Sequence, residues 1–149
     1  MTAASSHPAY HDPAVIARVL ADSSVWAVVG LSTDQTHAAY SVAKFLHQHG
    51  KRIVPVHPRA EEVFGEKGYR TLAEIPFPVD VVDIFRRSDQ AGRSVDEAIA
   101  IEAAAVWMQL GVIDARAAER AVKAGLDVVM DTCPKIEWPL HGPHSEAQS

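Results

Sequence analysis

The sequence contains almost no cysteine, no long apolar run and no excess of positive charge. Its 149 residues include a single cysteine, Cys133, so an internal disulfide and a cysteine-based zinc cluster are both excluded. The longest apolar stretch, Ala103–Met108, is far too short to cross a bilayer. A formal net charge of −5 argues against nucleic acid or an anionic membrane as the main partner. The segment Met1–Asp12 lacks the basic start and apolar core of a secretory signal, so a cytoplasmic location is expected.

The composition that remains is that of one folded domain. Hydrophobic residues make up 48% and charged residues 22% of the chain, which is typical of a globular protein and not of a disordered one. We place the domain at residues 12–138, between a flexible polar arm at residues 1–11 and a flexible tail at residues 139–149. The whole segment after Cys133 is expected to be irregular, because prolines recur through it.

Five short apolar runs are the candidate strands. They are rich in β-branched residues and nearly continuous, which is the pattern of strands covered on both faces in a parallel sheet. Pro55, inside the second run, indicates that this strand ends early or has a free edge there. The runs are Val25–Val29, Ile53–Val56, Val81–Phe85, Ala104–Met108 and Val128–Met130.

Helical segments lie before and between these runs. Asp12 and Pro13 are a typical N-cap and first residue of a helix, and glycines stop the second and the last helices. Ser94 and Glu97 have the spacing of a capping box, and a helix start near Ser88 is the alternative. The predicted helices are Pro13–Ala21, Ala38–His49, one through Ala98–Ile101 and Asp114–Ala124, with a helical turn at Thr71–Glu74.

This alternation predicts a single Rossmann-like α/β domain. The sheet is doubly wound, five-stranded and mostly parallel, with helices on both faces and right-handed crossovers. The expected strand order is 3-2-1-4-5, with the topological switch point between the first and fourth runs. Ligands bind at the carboxyl ends of strands near such a point, so the candidate site comprises the loops that begin at Gly30, His57, Arg86, Gln109 and Asp131.

The loop after the first run suits a phosphate or pyrophosphate. Gly30 lets a ligand approach the backbone, and the helix start behind it offers free amides and the positive end of a dipole. Ser32, Thr33, Thr36 and Ser41 add hydroxyl donors. The loop lacks the glycines of a dinucleotide fingerprint, the Gly-Lys ending of a P-loop and the second glycine of a nucleophile elbow. The alternative is a plain strand-to-helix turn.

The loop after the second run lacks the acid that binds a ribose diol in NAD-binding folds. It reads Val56-His57-Pro58-Arg59 instead, which is neutral to basic. This favours a ribose that carries a phosphate, as in NADP or coenzyme A, over NAD. The alternative is an ordinary surface arginine.

The later loops add polar groups but no catalytic set. Arg86 and its neighbour follow the third run and either bind an anion or pair with nearby glutamates. Gln109, close to the flexible Gly111, offers donors and an acceptor. Asp83 is expected to be a structural, hydrogen-bonded acid, and Trp107 to lie in the core. No metal site is predicted, and no residues have the spacing of an acid–base or nucleophile–base pair.

Taken in order, these segments resemble the small stand-alone CoA-binding proteins of bacteria, relatives of the CoA-binding Rossmann domain in the succinyl-CoA synthetase alpha subunit. The resemblance runs from about Pro13 to Trp138. It rests on Val28–Ser32, Ser41-Val42, Val54–Pro58, Ile75-Pro76, Val82–Arg87, Ala105–Gly111, Val129–Asp131 and Cys133–Lys135.

The resemblance implies a domain that binds CoA or acyl-CoA. By position, Gly30, Leu31, Ser32 and Ser41 match the pyrophosphate-binding turn, Val56, His57 and Pro58 match the adenosine-side loop, and Gln109 and Gly111 match the loop across the switch point. The family has no established reaction, so the resemblance implies a binding or regulatory module without catalysis.

This chain departs from the family pattern at two loops. His57 replaces the family's usual asparagine, and the first loop carries Asp34 and His37 where an Asn-Pro pair and a basic residue are common.

Two other functions compete with a plain binding module. An NADP-dependent oxidoreductase or a small CoA-dependent transferase would need a proton donor that the sequence does not reveal. A regulatory protein that senses CoA would switch at His57 or Cys133, the latter through a mixed disulfide with the CoA thiol. The oligomeric state and any protein partner are left open.

Overall fold

The five apolar runs form one parallel sheet. The computed structural model describes residues 10–143. All the strand pairings within this part of the chain are parallel, so the predicted Rossmann-like α/β class is confirmed. The strands are β1 (Val25–Val29), β2 (Arg52–Val56), β3 (Val81–Ile84), β4 (Ala105–Met108) and β5 (Asp127–Val129).

The strand order is β2-β1-β3-β4-β5, so the expected order 3-2-1-4-5 is wrong. The third run lies beside β1 and not outside β2, which moves the switch point to between β1 and β3. The outer edge of β2 is covered by a single residue: the Tyr69 amide donates to the Pro55 carbonyl and the His57 amide donates to the Tyr69 carbonyl, each over 3.0 Å. Proline is tolerated in β2 because its missing N–H faces this edge and not β1.

The helices begin where the capping signals indicated, with one exception. Asp12 Oδ1 accepts from the Ala14 amide over 2.9 Å, and Asp114 Oδ1 accepts from the Ala117 amide over 3.0 Å. Ser94 lies buried in the middle of its helix, so the capping-box prediction is wrong and the alternative start near Ser88 is correct. The helices are α1 (Pro13–Asp22), α2 (Ala38–Gln48), α3 (Ser88–Ala100), α4 (Ala115–Lys123) and α5 (Pro134–His141), with a 3-10 turn at Leu72–Glu74.

Each face of the sheet is covered by its own helices. One apolar core joins the sheet to α3 and α4, and the other joins it to α1, α2 and α5. In the second core the fully buried rings of Trp26 and Trp107 lie 5.6 Å apart between centroids. Trp107 is therefore a core residue, as predicted. None of the helices within residues 10–143 has the length and apolarity that a membrane crossing requires.

The expected irregular segment after Cys133 is instead helical over most of its described length. Pro134 is the first residue of α5, a position at which the missing N–H costs nothing because no acceptor precedes it. Trp138 anchors the helix in the core. The prediction of an irregular segment is therefore wrong for α5, while most of the predicted arm and the end of the tail lie outside the described residues.

We predict that Gly30→Ala destabilises the protein far more than Gly50→Ala. Both glycines have positive φ angles, +104° and +91°, which cost an L-residue about 1–2 kcal/mol. At Gly30 a Cβ would also lie 2.7 Å from the Phe85 carbonyl oxygen, whereas at Gly50 it meets nothing within 4 Å. The free energy of unfolding, measured in urea, should fall by at least about 1 kcal/mol more for Gly30→Ala. Equal losses would contradict the close approach of the two strands.

Candidate functional site

An open crevice lies over the carboxyl ends of β1, β3 and β4, on the α2 and α5 side of the sheet. Its volume is about 590 Å³, within the range of small-molecule sites. We call it the front crevice. Its floor and walls include Gly30, Phe85, Arg86, Gln109 and Cys133. Three of the predicted site residues therefore meet here, namely Gly30, Arg86 and Gln109.

The start of α2 forms an anion-binding wall of the front crevice. His37 is the N-cap residue, but no side chain caps the first turn, and Ala38 and Ala39 line the crevice. The first amides of a helix have no intrahelical acceptor and carry the positive end of its dipole. Arg86 and Arg87 also line this crevice, and Arg87 Nε lies 3.3 Å from Asp89 Oδ1. This arrangement attracts a phosphate or diphosphate.

The hydroxyl groups of the Gly30 loop stabilise the loop itself. The Thr33 amide and hydroxyl both donate to Glu61 Oε1, over 3.1 and 3.0 Å. The Thr36 amide and hydroxyl both donate to Asp34 Oδ1, over 3.0 and 2.6 Å, and these bonds hold the pKa of Asp34 below its usual value. Neither threonine hydroxyl is free for a ligand, so backbone amides and cations remain as the donors to an anion.

The other predicted residues of this loop and of α2 lie away from the front crevice. Leu31 is fully buried in the core, and Ser32, also buried, accepts from the Asp34 amide at its hydroxyl over 3.2 Å. Ser41 lies in a separate cavity, where Lys135 Nζ donates to its hydroxyl over 3.2 Å.

A second cavity, which we call the rear cavity, lies on the α3 and α4 side of the sheet. Its volume is about 910 Å³, and Val29 and Val56 bring the ends of β1 and β2 into its wall. Arg86 lines both the rear cavity and the front crevice. The two spaces therefore border the same arginine at the carboxyl edge of the sheet.

The walls of the rear cavity carry four arginines and four acids, and the arginines without an ion-pair partner are its candidate anion-binding groups. Arg70, Arg86 and Arg93 line it, and none of them has an ion-pair partner within residues 10–143. Most of the acids on the same walls are already engaged: Asp89 pairs with Arg87, Asp96 pairs with Arg120, and Asp114 caps α4.

Sequence reasoning missed Arg70 and Arg93. Arg93 could be recognised as a candidate once α3 is known to begin at Ser88, because Arg93 then lies in the second helical turn after β3. Arg70 follows Tyr69, which pairs with Val56 at the edge of β2, and no sequence pattern predicts that pairing.

The residues that follow β2 are engaged by a local hydrogen bond and a local ion pair. His57 Nδ1 accepts from the Arg59 amide over 3.1 Å, and Arg59 Nε lies 3.3 Å from Glu61 Oε2. His57, Pro58 and Arg59 line neither cavity, and Val56 alone contributes from this loop. Burial, together with nearby Arg59 and Arg86, lowers the pKa of His57, so its ring is neutral at pH 7.

Gln109 lines the front crevice with a buried side chain. The residue is 6% exposed, and its Oε1 has no hydrogen-bond partner in the described part of the chain. Gly111 lies two residues further on, outside both cavities, where its amide donates to Asp131 Oδ1 over 2.8 Å. A ligand N–H would satisfy the buried Gln109 oxygen.

Residues 24–139 match the family model described as CoA binding domain. The chain belongs to the CoA binding domain family. The Bacillus subtilis protein YneT is 35% identical over 123 residues, which cover 83% of this chain and 91% of YneT. A hypothetical protein from Pyrococcus horikoshii OT3 is 32% identical, with a TM-score of 0.82 over 87% of this chain and 91% of that one.

The family also links this chain to part of a larger protein. The alpha subunit of the ADP-forming acetate–CoA ligase II of Pyrococcus furiosus is 42% identical over 59 residues. That stretch is 39% of this chain and 13% of the ligase subunit. The resemblance to CoA-binding proteins that the sequence indicated is therefore confirmed.

One buried acid of this CoA-binding-family domain has no partner. Asp83 is fully buried on β3, in register with Val28 and Trp107, and neither carboxyl oxygen has a hydrogen-bond partner among residues 10–143. The prediction of a hydrogen-bonded acid is therefore wrong. Burial raises the pKa of Asp83 well above its usual value, so the side chain stays protonated to higher pH in the folded than in the unfolded protein.

We predict that Asp83→Asn becomes progressively more stable than the wild type as pH rises. Above about pH 4 the unfolded carboxyl loses its proton while the folded one keeps it, so unfolding releases a proton and is favoured by higher pH. Asparagine cannot ionise, and the difference in unfolding free energy should grow by up to about 1.4 kcal/mol per pH unit.

Urea unfolding between about pH 5 and about pH 8 measures this difference. Asp34→Asn is the control, because its exposed carboxyl has a lowered pKa and is ionised in both states over that range. A pH-independent difference for Asp83→Asn would contradict the burial of a protonated acid.

Proposed function

We propose that this protein binds CoA or acyl-CoA across the carboxyl edge of the sheet, as a binding or regulatory module without catalysis. The adenosine end occupies the rear cavity, the diphosphate crosses the edge beside Gly30, and the pantetheine arm enters the front crevice. The observation that carries this proposal is the shared position of Arg86, which lines both cavities and so can contact a ligand that spans them.

The diphosphate position is supported by the uncapped start of α2. Ala38 and Ala39, at the start of α2, line the front crevice together with Arg86, which has no ion-pair partner within residues 10–143. Amides and guanidinium groups are the usual protein donors to phosphate oxygens. In a chain with a net charge of −5, such a local positive surface needs a specific reason.

The rear cavity is suited to a phosphorylated ribose. CoA carries a phosphate on its adenosine ribose, and Arg70 and Arg93 supply unpaired positive charge in the cavity beside the ends of β1 and β2. This replaces the sequence-based assignment of that role to Arg59, which is paired with Glu61. A ribose diol without a phosphate, as in NAD, would leave these cations without a partner.

The front crevice favours the pantetheine arm over a nicotinamide ring. Its walls include Phe85, Leu110 and Ile136, and Gln109 presents a buried carbonyl oxygen. The pantetheine arm is a flexible chain whose amide N–H groups can donate to that oxygen. Among residues 10–143 no carboxylate lines this crevice, which supports a role in binding rather than in proton transfer by an acid. The similarity to part of an acetate–CoA ligase subunit points to the same ligand.

We predict that the protein binds CoA more tightly than NADP, and NADP more tightly than NAD, in calorimetric titrations. This order of affinities follows from the unpaired arginines, which can bind a ribose phosphate, and from the apolar walls, which suit a pantetheine chain. Tighter binding of either nicotinamide nucleotide would contradict the proposal and favour an oxidoreductase, which a hydride-transfer absorbance assay would then detect.

We predict that Arg93→Gln weakens CoA binding about tenfold, since a hydrogen bond to a charged group contributes about 1.5 kcal/mol or more. Binding of dephospho-CoA, which lacks the ribose phosphate, should change by less than about twofold. Arg116→Gln is the matched control, because Arg116 is exposed on α4 and lines neither cavity. An equal loss of affinity for CoA and for dephospho-CoA would show that Arg93 does not contact the ribose phosphate.

A further inference from the structure

We propose that the separate cavity at Ser41, between α2 and the start of α5, binds the phosphate group of a small phosphorylated molecule. We call it the lysine cavity. Its volume is about 410 Å³, within the range of small-molecule sites. It shares no lining residue with the front crevice or the rear cavity within residues 10–143, so the inference goes beyond the proposed CoA binding.

Two lysines are the charged groups of the lysine cavity. Lys44 lies on α2 and Lys135 in the first turn of α5, and neither has an ion-pair partner among the described residues. Lys135 Nζ donates to the Ser41 hydroxyl over 3.2 Å, which directs this ammonium group toward α2. Two positive charges on the walls of one cavity repel each other, and an anion bound there offsets the repulsion.

The carboxylates that are near in sequence are engaged elsewhere. Asp34 accepts from the amide and hydroxyl of its own turn, and Asp131 Oδ1 accepts from the Gly111 amide over 2.8 Å. Glu137 is buried and accepts from the Thr132 hydroxyl over 2.8 Å. In the part of the chain from residue 10 to residue 143, no carboxylate lines the lysine cavity. Its two cations are therefore available to a ligand.

The neutral groups of the cavity favour a phosphate over a simple monovalent anion. The side-chain amides of Gln35 and Gln48 and the hydroxyl of Tyr40 lie on its walls. The Ser41 oxygen accepts from Lys135 and keeps its own proton for a ligand oxygen. A phosphate ester combines about two negative charges with three strong acceptor oxygens, which suits two lysines and several neutral donors.

The size and the aromatic walls of the cavity indicate that the phosphate is attached to an organic group. A phosphate ion fills only a small part of about 410 Å³, and the rings of Tyr40 and Phe45 can contact a larger ligand. The net charge of −5 opposes binding to an anionic bilayer, which favours a soluble ester over a lipid headgroup.

Titration of the full-length protein with inorganic phosphate, followed by two-dimensional ¹H–¹⁵N NMR at constant ionic strength, tests the proposal. The amide signals of Ser41, Lys44 and Lys135 should shift and saturate. Lys44→Gln and Lys135→Gln should each weaken phosphate binding at these signals about tenfold, because each removes a charged donor. Lys135→Arg keeps the charge and should stay within about threefold of the wild type.

Lys67→Gln is the matched control. Lys67 is also exposed and has no ion-pair partner within residues 10–143, but it lines none of the three cavities. Shifts that do not saturate, or an equal loss in Lys67→Gln, would show general charge screening and overturn the proposal. Saturable shifts confined to the signals of Ala38 and Arg86 would assign phosphate to the front crevice and overturn it as well.

Calorimetry with CoA separates this inference from the proposed function. CoA binding by Lys44→Gln should stay within about twofold of the wild type. A tenfold loss of CoA affinity in that variant would make the lysine cavity part of the CoA site and would overturn the inference of a second site. If CoA does not bind the wild type, the proposed function fails, while the phosphate titration decides the lysine cavity independently.

Discussion

The close passage of β1 against β3 at Gly30 is the constraint on which the site depends. Gly30 donates its amide to the Val56 carbonyl over 2.8 Å, and the Phe85 amide donates to the Val29 carbonyl over 2.9 Å. The ends of three adjacent strands are thereby fixed to one another, and a side chain at Gly30 would collide with the Phe85 carbonyl. The start of α2, which follows β1, and Arg86, which follows β3, consequently line the same crevice.

Backbone amides and arginine side chains can both donate to an anion at this edge of the sheet. Amides at a helix start are already oriented, so binding an anion there requires little reorganisation. The arginines differ, because their long side chains lose freedom when they bind. The arginines of the front crevice contrast with the net charge of −5, so this crevice attracts an anion more than the chain as a whole does.

Much of the fold could be predicted, because the strands and helices follow from local apolar patterns and capping residues. The strand order could not, since Tyr69 takes the place of a whole outer strand with one residue and leaves no periodic trace. That Gly30, Arg86 and Gln109 lie together could be predicted because each follows a strand end at the carboxyl edge. The bond from Thr33 to Glu61 could not, because the two residues are 28 positions apart in sequence. Burial of Asp83 was evident from its apolar neighbours, but its lack of a partner depends on tertiary packing.

The pairing of Tyr69 with β2 also governs how the sheet meets other chains. An open strand edge is a template for edge-to-edge aggregation, and natural proteins block such edges with prolines or covering segments. Here both devices occur together, since Pro55 removes a donor and the Tyr69 amide occupies the Pro55 carbonyl. At the other side of the sheet the Tyr10 carbonyl accepts from the Met130 amide over 2.9 Å, just beyond the short β5. The β2 margin is therefore blocked against the addition of another strand.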